Sequence, residues 1–303
     1  MNQENPTARK GILGRQAGED VTPGYSTIDY ATGSDRVATI TLNRPEALNS
    51  FDRQMCEEIR DAWQRIKRDP EVNAVVLRAA GDRAFCAGLD VKKAFGQPDD
   101  IWNHEDPGEL LSPKWQKCWK PVVVAVQGIC TAGAFYFLNE ADVVICSPEA
   151  TFFDSHVTFG RVLAVEPIGL MRRIGLAETL RIALSGNDER VSAQTALRIS
   201  LVTEIVERDR LWERAHEIAA GIARKPSVAT QGTVRAIWES LDRPYRAAME
   251  QALIYTRLGN AAGMAEAEKA KEAETSKAKA DESSASGTAP APARPGGPAW
   301  RLR

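Results

Sequence analysis

Apolar positions follow two spacings along this chain. From about residue 25 to residue 160, short runs rich in Val, Ile and Ala (VATITL, NAVVLRAA, PVVVAV, DVVICS) stand between breaks containing Gly, Pro, Asn and Asp. Such runs predict strands. DYATGSDRVATITLNR predicts a hairpin, and ATFFDSHV a short strand. Between the strands the spacing becomes helical. SFDRQMCEEIRDAWQRIKRD predicts a helix with Ser50 as N-cap and Ile59, Trp63 and Ile66 on one face. Further helices are predicted near 110–119 and from about 132. Strands and helices alternating at this length predict βαβ units, a mostly parallel sheet and an α/β fold.

After residue 166 the pattern is almost wholly helical: EPIGLMRRIG, AETLRIALS, SAQTALRIS, RLWERAHEIAAGIARKP and a long segment over about 226–258. Residues 1–24 are polar and read as a flexible N-terminal arm. Residues 261–303 are rich in Ala, Lys, Glu, Ser and Pro. Their first part predicts a transient charged helix. The remainder carries too little apolar surface to offset ordering entropy and reads as a disordered tail. The resulting division is an arm (1–24), a core (25–200), a helical region (201–260) and a tail (261–303).

A chain of 303 residues is long enough to bury a large core in one or two domains. With 43% hydrophobic and 26% charged residues it has the composition of a soluble globular protein. A formal charge of −2 argues against a nucleic-acid surface, which needs a basic excess. No apolar run approaches the roughly 20 residues of a membrane span. The start MNQENPTARK lacks the apolar stretch of a secretory signal. Cys56, Cys86, Cys118, Cys130 and Cys146 show no CxxC spacing and read as reduced core thiols of a cytoplasmic protein. The three histidines are scattered, so no metal site is expected.

Two segments carry the candidate chemistry. GDRAFCAGLD (81–90) and VQGICTAGAFYFLNEAD (126–142) each place a glycine in a turn straight after a β-rich run. Such turns leave peptide N–H groups unpaired, and two of them converging on one carbonyl oxygen stabilise an enolate or a tetrahedral oxyanion. With the upstream ITLNRPEALNS, these segments resemble the crotonase (enoyl-CoA hydratase/isomerase) superfamily over roughly residues 25–260.

The resemblance implies a crotonase ββα spiral core followed by a helical region that supports a homotrimer, often a hexamer built as a dimer of trimers. It implies a coenzyme A thioester as substrate and no permanently bound cofactor. It places the oxyanion donors at the peptide N–H groups of Leu89 and Gly133. Gly133 falls at a helix start, where unpaired N–H groups and the helix dipole favour negative charge. The coenzyme A cradle falls on 43–50 and 87–90, with Glu46, Ala47, Leu48, Ala87, Gly88 and Asp90 as contacts. Lys92, Lys93 or Arg53 would supply phosphate contacts, or else are solvated surface charges.

Hydratases of the superfamily carry two glutamates, one three residues after the oxyanion glycine and one in the next strand-loop segment. Here Tyr136 stands at the first position, and the second falls at or next to His156. Asp154 and His156, at i and i+2, share one face of an extended strand. A carboxylate beside an imidazole raises its pKa and makes a general acid/base unit near neutral pH. Glu166 follows in a loop just before a helix with Pro167 at its first position. The alternatives are structural: Asp154 capping a turn, His156 as a core histidine, Glu166 as a helix-start carboxylate. Tyr136 lines an apolar acyl pocket with Phe135, Phe137, Phe152 and Phe153, or donates a hydrogen bond to substrate. Trp102, Trp115 and Trp119 would add aromatic surface. Glu140 lies about one helical turn beyond Tyr136 and is not assigned to the site.

The resulting reading is an acyl-CoA enzyme of the enoyl-CoA hydratase/isomerase kind, a lyase that stabilises a thioester enolate or oxyanion and hydrates crotonyl-CoA poorly. The alternatives are an acyl-CoA or C–C bond hydrolase using His156 and Glu166, and a non-catalytic acyl-CoA-binding scaffold.

Overall fold

The computed structural model describes residues 24–93, 106–163 and 165–284. The expected arm (1–23 of it), Trp102 and residues 285–303 lie outside the described residues. The predicted hairpin is present as β1 (Ile28–Thr32) and β2 (Val37–Leu42), paired antiparallel. Helix α1 (Arg53–Arg68) follows. Its cap is Asp52, not Ser50: the Asp52 side chain accepts the Met55 N–H at 3.0 Å. The chain is still extended at Phe51, which bridges to Leu89, so the helix cannot begin earlier. Met55, Ile59, Ala62, Trp63 and Ile66 form the buried stripe of α1. The Trp63 indole N–H donates to the Leu111 carbonyl at 2.8 Å.

A repeating unit builds the core. Each long strand runs into a short strand of a second sheet and then into a helix: β3 (Ala74–Ala79), β4 (Ala84–Cys86) and α2 (Pro107–Leu111); β5 (Val122–Val126), β6 (Ile129–Thr131) and α3 (Phe135–Asn139); β7 (Val143–Cys146), β8 (Thr151–Phe153) and α4 (Val165–Ile174). The predicted helix over 110–119 is therefore shorter and earlier. Successive units stack in parallel register, β2 on β3 on β5 on β7, and β4 on β6 on β8. The completed sheets are β1-β2-β3-β5-β7-β10 and β4-β6-β8-β9, with β9 (Val191–Ser192) and β10 (Glu204–Ile205) at the edges.

The long strands are apolar on both faces because both are covered. One face meets α1 and the spiral helices. On the other, Val76, Val123 and Ile145 pack on Leu211, Ala215 and Ala219 of α7 (Leu211–Ala223). Helices α5 (Leu176–Ser185) and α6 (Ala193–Arg198) complete the spiral.

Helices α8 (Ser227–Ser240) and α9 (Tyr245–Ser284) pack on each other at the C-terminal end. Gln251 donates to the Glu239 carboxylate at 2.5 Å, and the Tyr255 hydroxyl donates to the same group. The Trp238 indole N–H ties α8 to the core through Asp142 at 2.7 Å. Helix α9 crosses residue 261, where the composition changes, and stays helical to Ser284. The segment 261–284 is thus a continuation of α9, held at its start by Gly263 against Ala229. Among the described residues no helix is long and apolar enough to cross a membrane. All five cysteines are buried and free.

Candidate active site

Parallel register explains why distant motifs meet. Cys86 pairs with Cys130, and Thr131 with Phe153, so β4, β6 and β8 end side by side. The turns leaving those ends carry Ala87–Leu89, Ala132–Gly133 and Asp154–His156 in that order. They open on one cavity of about 960 Å³.

The first two turns touch. Gly88 has φ +83, and a Cβ there would come within 3.1 Å of both the Ala132 Cβ and the Gly133 nitrogen, so only glycine lets the turns approach. Gly133 lies in a 3-10 turn leading into α3, against the ring of Phe51. Among the described residues, neither the Leu89 N–H nor the Gly133 N–H is paired with a carbonyl of the turns and loops. The Leu89 neighbours are paired: Phe51 N–H donates to Gly88 O at 2.9 Å, and Asp90 N–H donates to Phe51 O at 2.9 Å. Two free donors therefore border the cavity, as an oxyanion site requires.

The loop 44–50 forms one wall. Leu48 and Asn49 are both left-handed, with φ 54. The fully buried Asn49 side chain fixes this shape, accepting from Arg44 N–H at 2.9 Å and donating to Ala80 O at 2.9 Å and Ala84 O at 3.0 Å. Buried Arg44 binds Ser50 O at 2.5 Å, Asp52 at 3.3 Å and Asp90 at 2.8 Å. The hydrogen bond from Arg44 holds the Asp90 carboxyl below its ordinary pKa. Sequence reading missed the roles of Arg44 and Asn49, although both lie in the motif ITLNRPEALNS.

Of the expected cradle, Glu46, Ala47, Leu48, Ala87 and Asp90 line the cavity; Gly88 lies behind it, against Gly133. Asp90 also pairs with Arg44 at 2.8 Å. Lys92 lines the cavity and Lys93 pairs with Asp52 at 3.4 Å. Arg83, not Arg53, is the second cation on this side.

The turn after β8 and the start of α4 bring His156 and Glu166 to the same cavity. Asp154 and His156 do not share a strand face, because β8 ends at Phe153. They meet through a turn: one Asp154 oxygen accepts the His156 peptide N–H at 2.8 Å and lies 2.9 Å from the ring Nδ1. Asp154 is fully buried behind the histidine, and its other oxygen is unpaired. The hydrogen bond to Asp154 raises the His156 pKa, against the opposing effect of burial. Glu166 lies within α4, as its second residue, with Pro167 third; it is not in the preceding loop. Asn139 fixes this helix start by donating to the Glu166 carbonyl at 2.9 Å. The Glu166 carboxylate stands 3.9 Å from the His156 Nε2. Burial raises its pKa.

Tyr136 is buried at the cavity wall between Gly133, Gly108 and Phe51. Burial, with the Glu166 and Asp106 carboxylates beside it, pushes its hydroxyl pKa far up, so it stays a neutral donor. Asp106, which caps α2 by accepting Gly108 N–H at 2.8 Å, was not legible as a site residue. Its DPG sequence signals only a helix start.

The expected aromatic pocket differs. Phe135, Phe137 and Phe152 are core residues, and Phe153 stacks under Arg190. Trp115 is exposed and Trp119 lies under Arg235. Among the described residues, Phe51, Tyr136 and Phe159 are the aromatic residues of the cavity. Glu140 accepts Lys114 N–H at 2.6 Å and Trp115 N–H at 3.2 Å, away from the cavity. Cys86, beside the first turn, is pushed up to about 12 by burial and is no nucleophile.

An α/β spiral of stacked ββα units with two unpaired N–H groups at one cavity suits chemistry that builds negative charge on a carbonyl oxygen. The enoyl-CoA hydratase/isomerase family model matches residues 32–281, and the chain belongs to that family. The chain is 32% identical to (E)-benzylidenesuccinyl-CoA hydratase of Thauera aromatica, over 74% of this chain and 86% of that protein. It is 30% identical to 1,2-epoxyphenylacetyl-CoA isomerase of Escherichia coli, over 63% of this chain and 74% of that protein. The crystal structure of an enoyl-CoA hydratase/isomerase from Mycobacterium paratuberculosis superposes with a TM-score of 0.72 at 38% identity, covering 77% of this chain and 90% of that one. The family acts on coenzyme A thioesters.

Proposed function

We propose that the protein adds water to, or moves the double bond of, a 2-enoyl-CoA through a thioester enolate, with His156 and Glu166 as its acid/base pair. The observation that carries this is the pairing of Nε2 and Oε1 at 3.9 Å in the same cavity as the free Leu89 and Gly133 N–H groups. The thioester oxygen sits between those donors, which stabilise the charge it gains. In hydration the water oxygen bonds to Cβ and the double-bond electrons move toward the thioester oxygen. Glu166 takes the water proton, the imidazolium protonates Cα, and a proton passing from Glu166 to His156 restores the pair. In isomerisation the same pair takes a proton from one carbon and returns it to another. Asp154 keeps the imidazole oriented and charged, and Tyr136 donates a hydrogen bond. Glu46, Ala47, Leu48 and Ala87 cradle the coenzyme, with Arg83 and Lys92 toward its phosphates. Crotonyl-CoA is hydrated more slowly than by a hydratase with two glutamates, because Glu166 alone holds the water.

The chain acts as a trimer or hexamer. Tyr245, Met249 and Leu253, spaced one turn apart on α9, leave an apolar stripe without cover in the single chain. Buried free thiols support a cytoplasmic site of action.

The test is α-proton exchange of a saturated acyl-CoA in D₂O, read by mass spectrometry beside turnover of an enoyl-CoA panel. Exchange that disappears in His156→Ala and Glu166→Gln supports the reading. Binding without exchange points to a scaffold, and release of free coenzyme A to a hydrolase; either outcome overturns it.

A further inference from the structure

We propose that Arg161 forms an anion subsite at the acyl end of the cavity, and that the acyl group of the substrate bears a second carboxylate there. This rests on the acyl-CoA reading above and deepens it by naming the substrate class.

Strand order sets the direction of the substrate. The turns over the cavity follow the sheet, β4 then β6 then β8. Loop 44–50 stands beside the β4 end, joined through Phe51 and Leu89. The turn of Arg83 packs there too, with Gly81 against Pro45. A coenzyme cradled on that side, with its thioester between Leu89 and Gly133, directs its acyl chain toward the turn after β8. Arg161 is on that turn.

The turn fixes Arg161 close to the reacting groups. Phe159 N–H and Arg161 N–H both donate to the His156 carbonyl at 3.0 Å, and Gly160 closes the turn in the left-handed conformation. Arg161 thus hangs on His156 itself, and this exposed residue lines the cavity with Ser155, His156 and Phe159.

Charge bookkeeping and position together separate Arg161 from the other cations near the site. Among the described residues Arg83 and Lys92 also lack ion-pair partners, but they lie beside loop 44–50 and Asp90, at the coenzyme end. Arg44 is taken up by Asp52 and Asp90, and Lys93 by Asp52. The Asp154 carboxylate is spent on His156, and Glu166 faces the same imidazole. Among the described residues Arg161 has no ion-pair partner, while its charge opposes protonation of the neighbouring His156. Two like charges on one turn facing one cavity are relieved by an anion placed between or beside them. The planar guanidinium suits a carboxylate, which it holds in a two-pronged hydrogen bond. Phe159 provides apolar surface for the intervening carbons.

Isothermal titration with saturated acyl-CoAs tests this without turnover. The probes are glutaryl-CoA and adipyl-CoA, each against its own terminal methyl ester, at low ionic strength. The wild type is expected to bind at least one free acid about tenfold more tightly than its ester, the scale of a charge-assisted pair. Arg161→Gln brings that ratio close to one, Arg161→Lys keeps part of it, and added salt reduces it in the wild type. Ratios near one for both pairs in the wild type, or an undiminished ratio in Arg161→Gln, overturn the subsite. If acids and esters bind equally well, the acyl-CoA reading stands and the subsite falls. If none binds, the acyl-CoA reading has failed and the subsite falls with it.

Discussion

The Asp154 carboxylate accepts the His156 peptide N–H at 2.8 Å and reaches the His156 ring Nδ1 at 2.9 Å with the same oxygen. One buried charge therefore fixes both the backbone and the tautomer of the histidine, leaving Nε2 toward Glu166 and the cavity. The His156 pKa is raised above its ordinary value of 6.5. A raised histidine pKa means that the ion pair stabilises the fold fully below pH 6.5 and that this contribution fades as pH rises through the folded value. Asp154→Asn should move the alkaline limb of the kcat/KM profile to lower pH. Its stability deficit relative to wild type should shrink as pH rises from 6 toward 9. A limb that stays in place removes Asp154 from the acid/base unit.

Glu166 shows the opposite balance. Burial raises its pKa, so the folded chain holds this proton more tightly than the unfolded chain. Wild-type stability then falls as pH rises from 4.5 through the raised value, as the carboxyl ionises in a poorly solvated place. Glu166→Gln has no such fall. It should melt at or above the wild-type temperature at pH 8 while losing about 100-fold in kcat, the scale of a lost general acid or base. A variant that melts lower and keeps its activity would make Glu166 a packing residue.

Most of the fold was legible because the long strands and helices advertise themselves by periodicity. The runs VATITL, NAVVLRAA, PVVVAV and DVVICS are β2, β3, β5 and β7. The short strands β4 and β6 were not, since three residues such as AFC or ICT carry no period; only their place in the parallel stack defines them. The glycine turns were legible as motifs, and Glu166, expected just before a helix, is the second residue of α4. The Asp154–His156 contact was anticipated for the wrong reason, a strand face instead of a turn. Arg44, Asn49 and Asp106 were silent because their work is long-range: Asn49 reaches Ala84, Arg44 reaches Asp90, and Asp106 stands beside Tyr136.

Asn49 is the keystone of the wall formed by loop 44–50. Its side chain satisfies three hydrogen bonds in a fully buried place with left-handed backbone. Asn49→Ala leaves one buried N–H and two carbonyls unpaired and should cost roughly 3 kcal/mol of stability. The wall belongs to the proposed coenzyme cradle, so KM should rise more than kcat falls. Urea unfolding and steady-state kinetics measure the two effects. A cost under about 0.5 kcal/mol, the level of an ordinary surface change, would mean that the loop keeps its shape without Asn49.

The Gly133 N–H can be removed by Gly133→Pro, but a Cβ there meets the Phe51 ring at 2.6 Å. The substitution is therefore made in a Phe51→Leu background, which opens room beside it. Phe51→Leu itself is expected to reduce stability through the lost ring contacts with Tyr136 and Phe137. Relative to that background, Gly133→Pro should lower kcat by about 10²–10³-fold with little change in acyl-CoA affinity, as expected for a donor that acts on the developing oxyanion. A folded double variant with the kcat of Phe51→Leu would exclude this donor.

Assembly is expected to follow the uncovered face of α9. Tyr245, Met249 and Leu253 are 79%, 50% and 54% exposed in the single chain, at i, i+4 and i+8 on one side of the helix. The side toward α8 is held by Tyr255, Gly259 and Gly263. Charges on the exposed stripe therefore disturb contacts between chains without breaking the α8–α9 pair. Met249→Glu/Leu253→Glu should convert a trimer or hexamer to monomers in light scattering and retain helical circular dichroism. Removing residues 285–303 should leave the number of chains in the assembly unchanged. A wild type that is monomeric at micromolar concentration, or a charged double variant that stays assembled, would show that this stripe serves another contact.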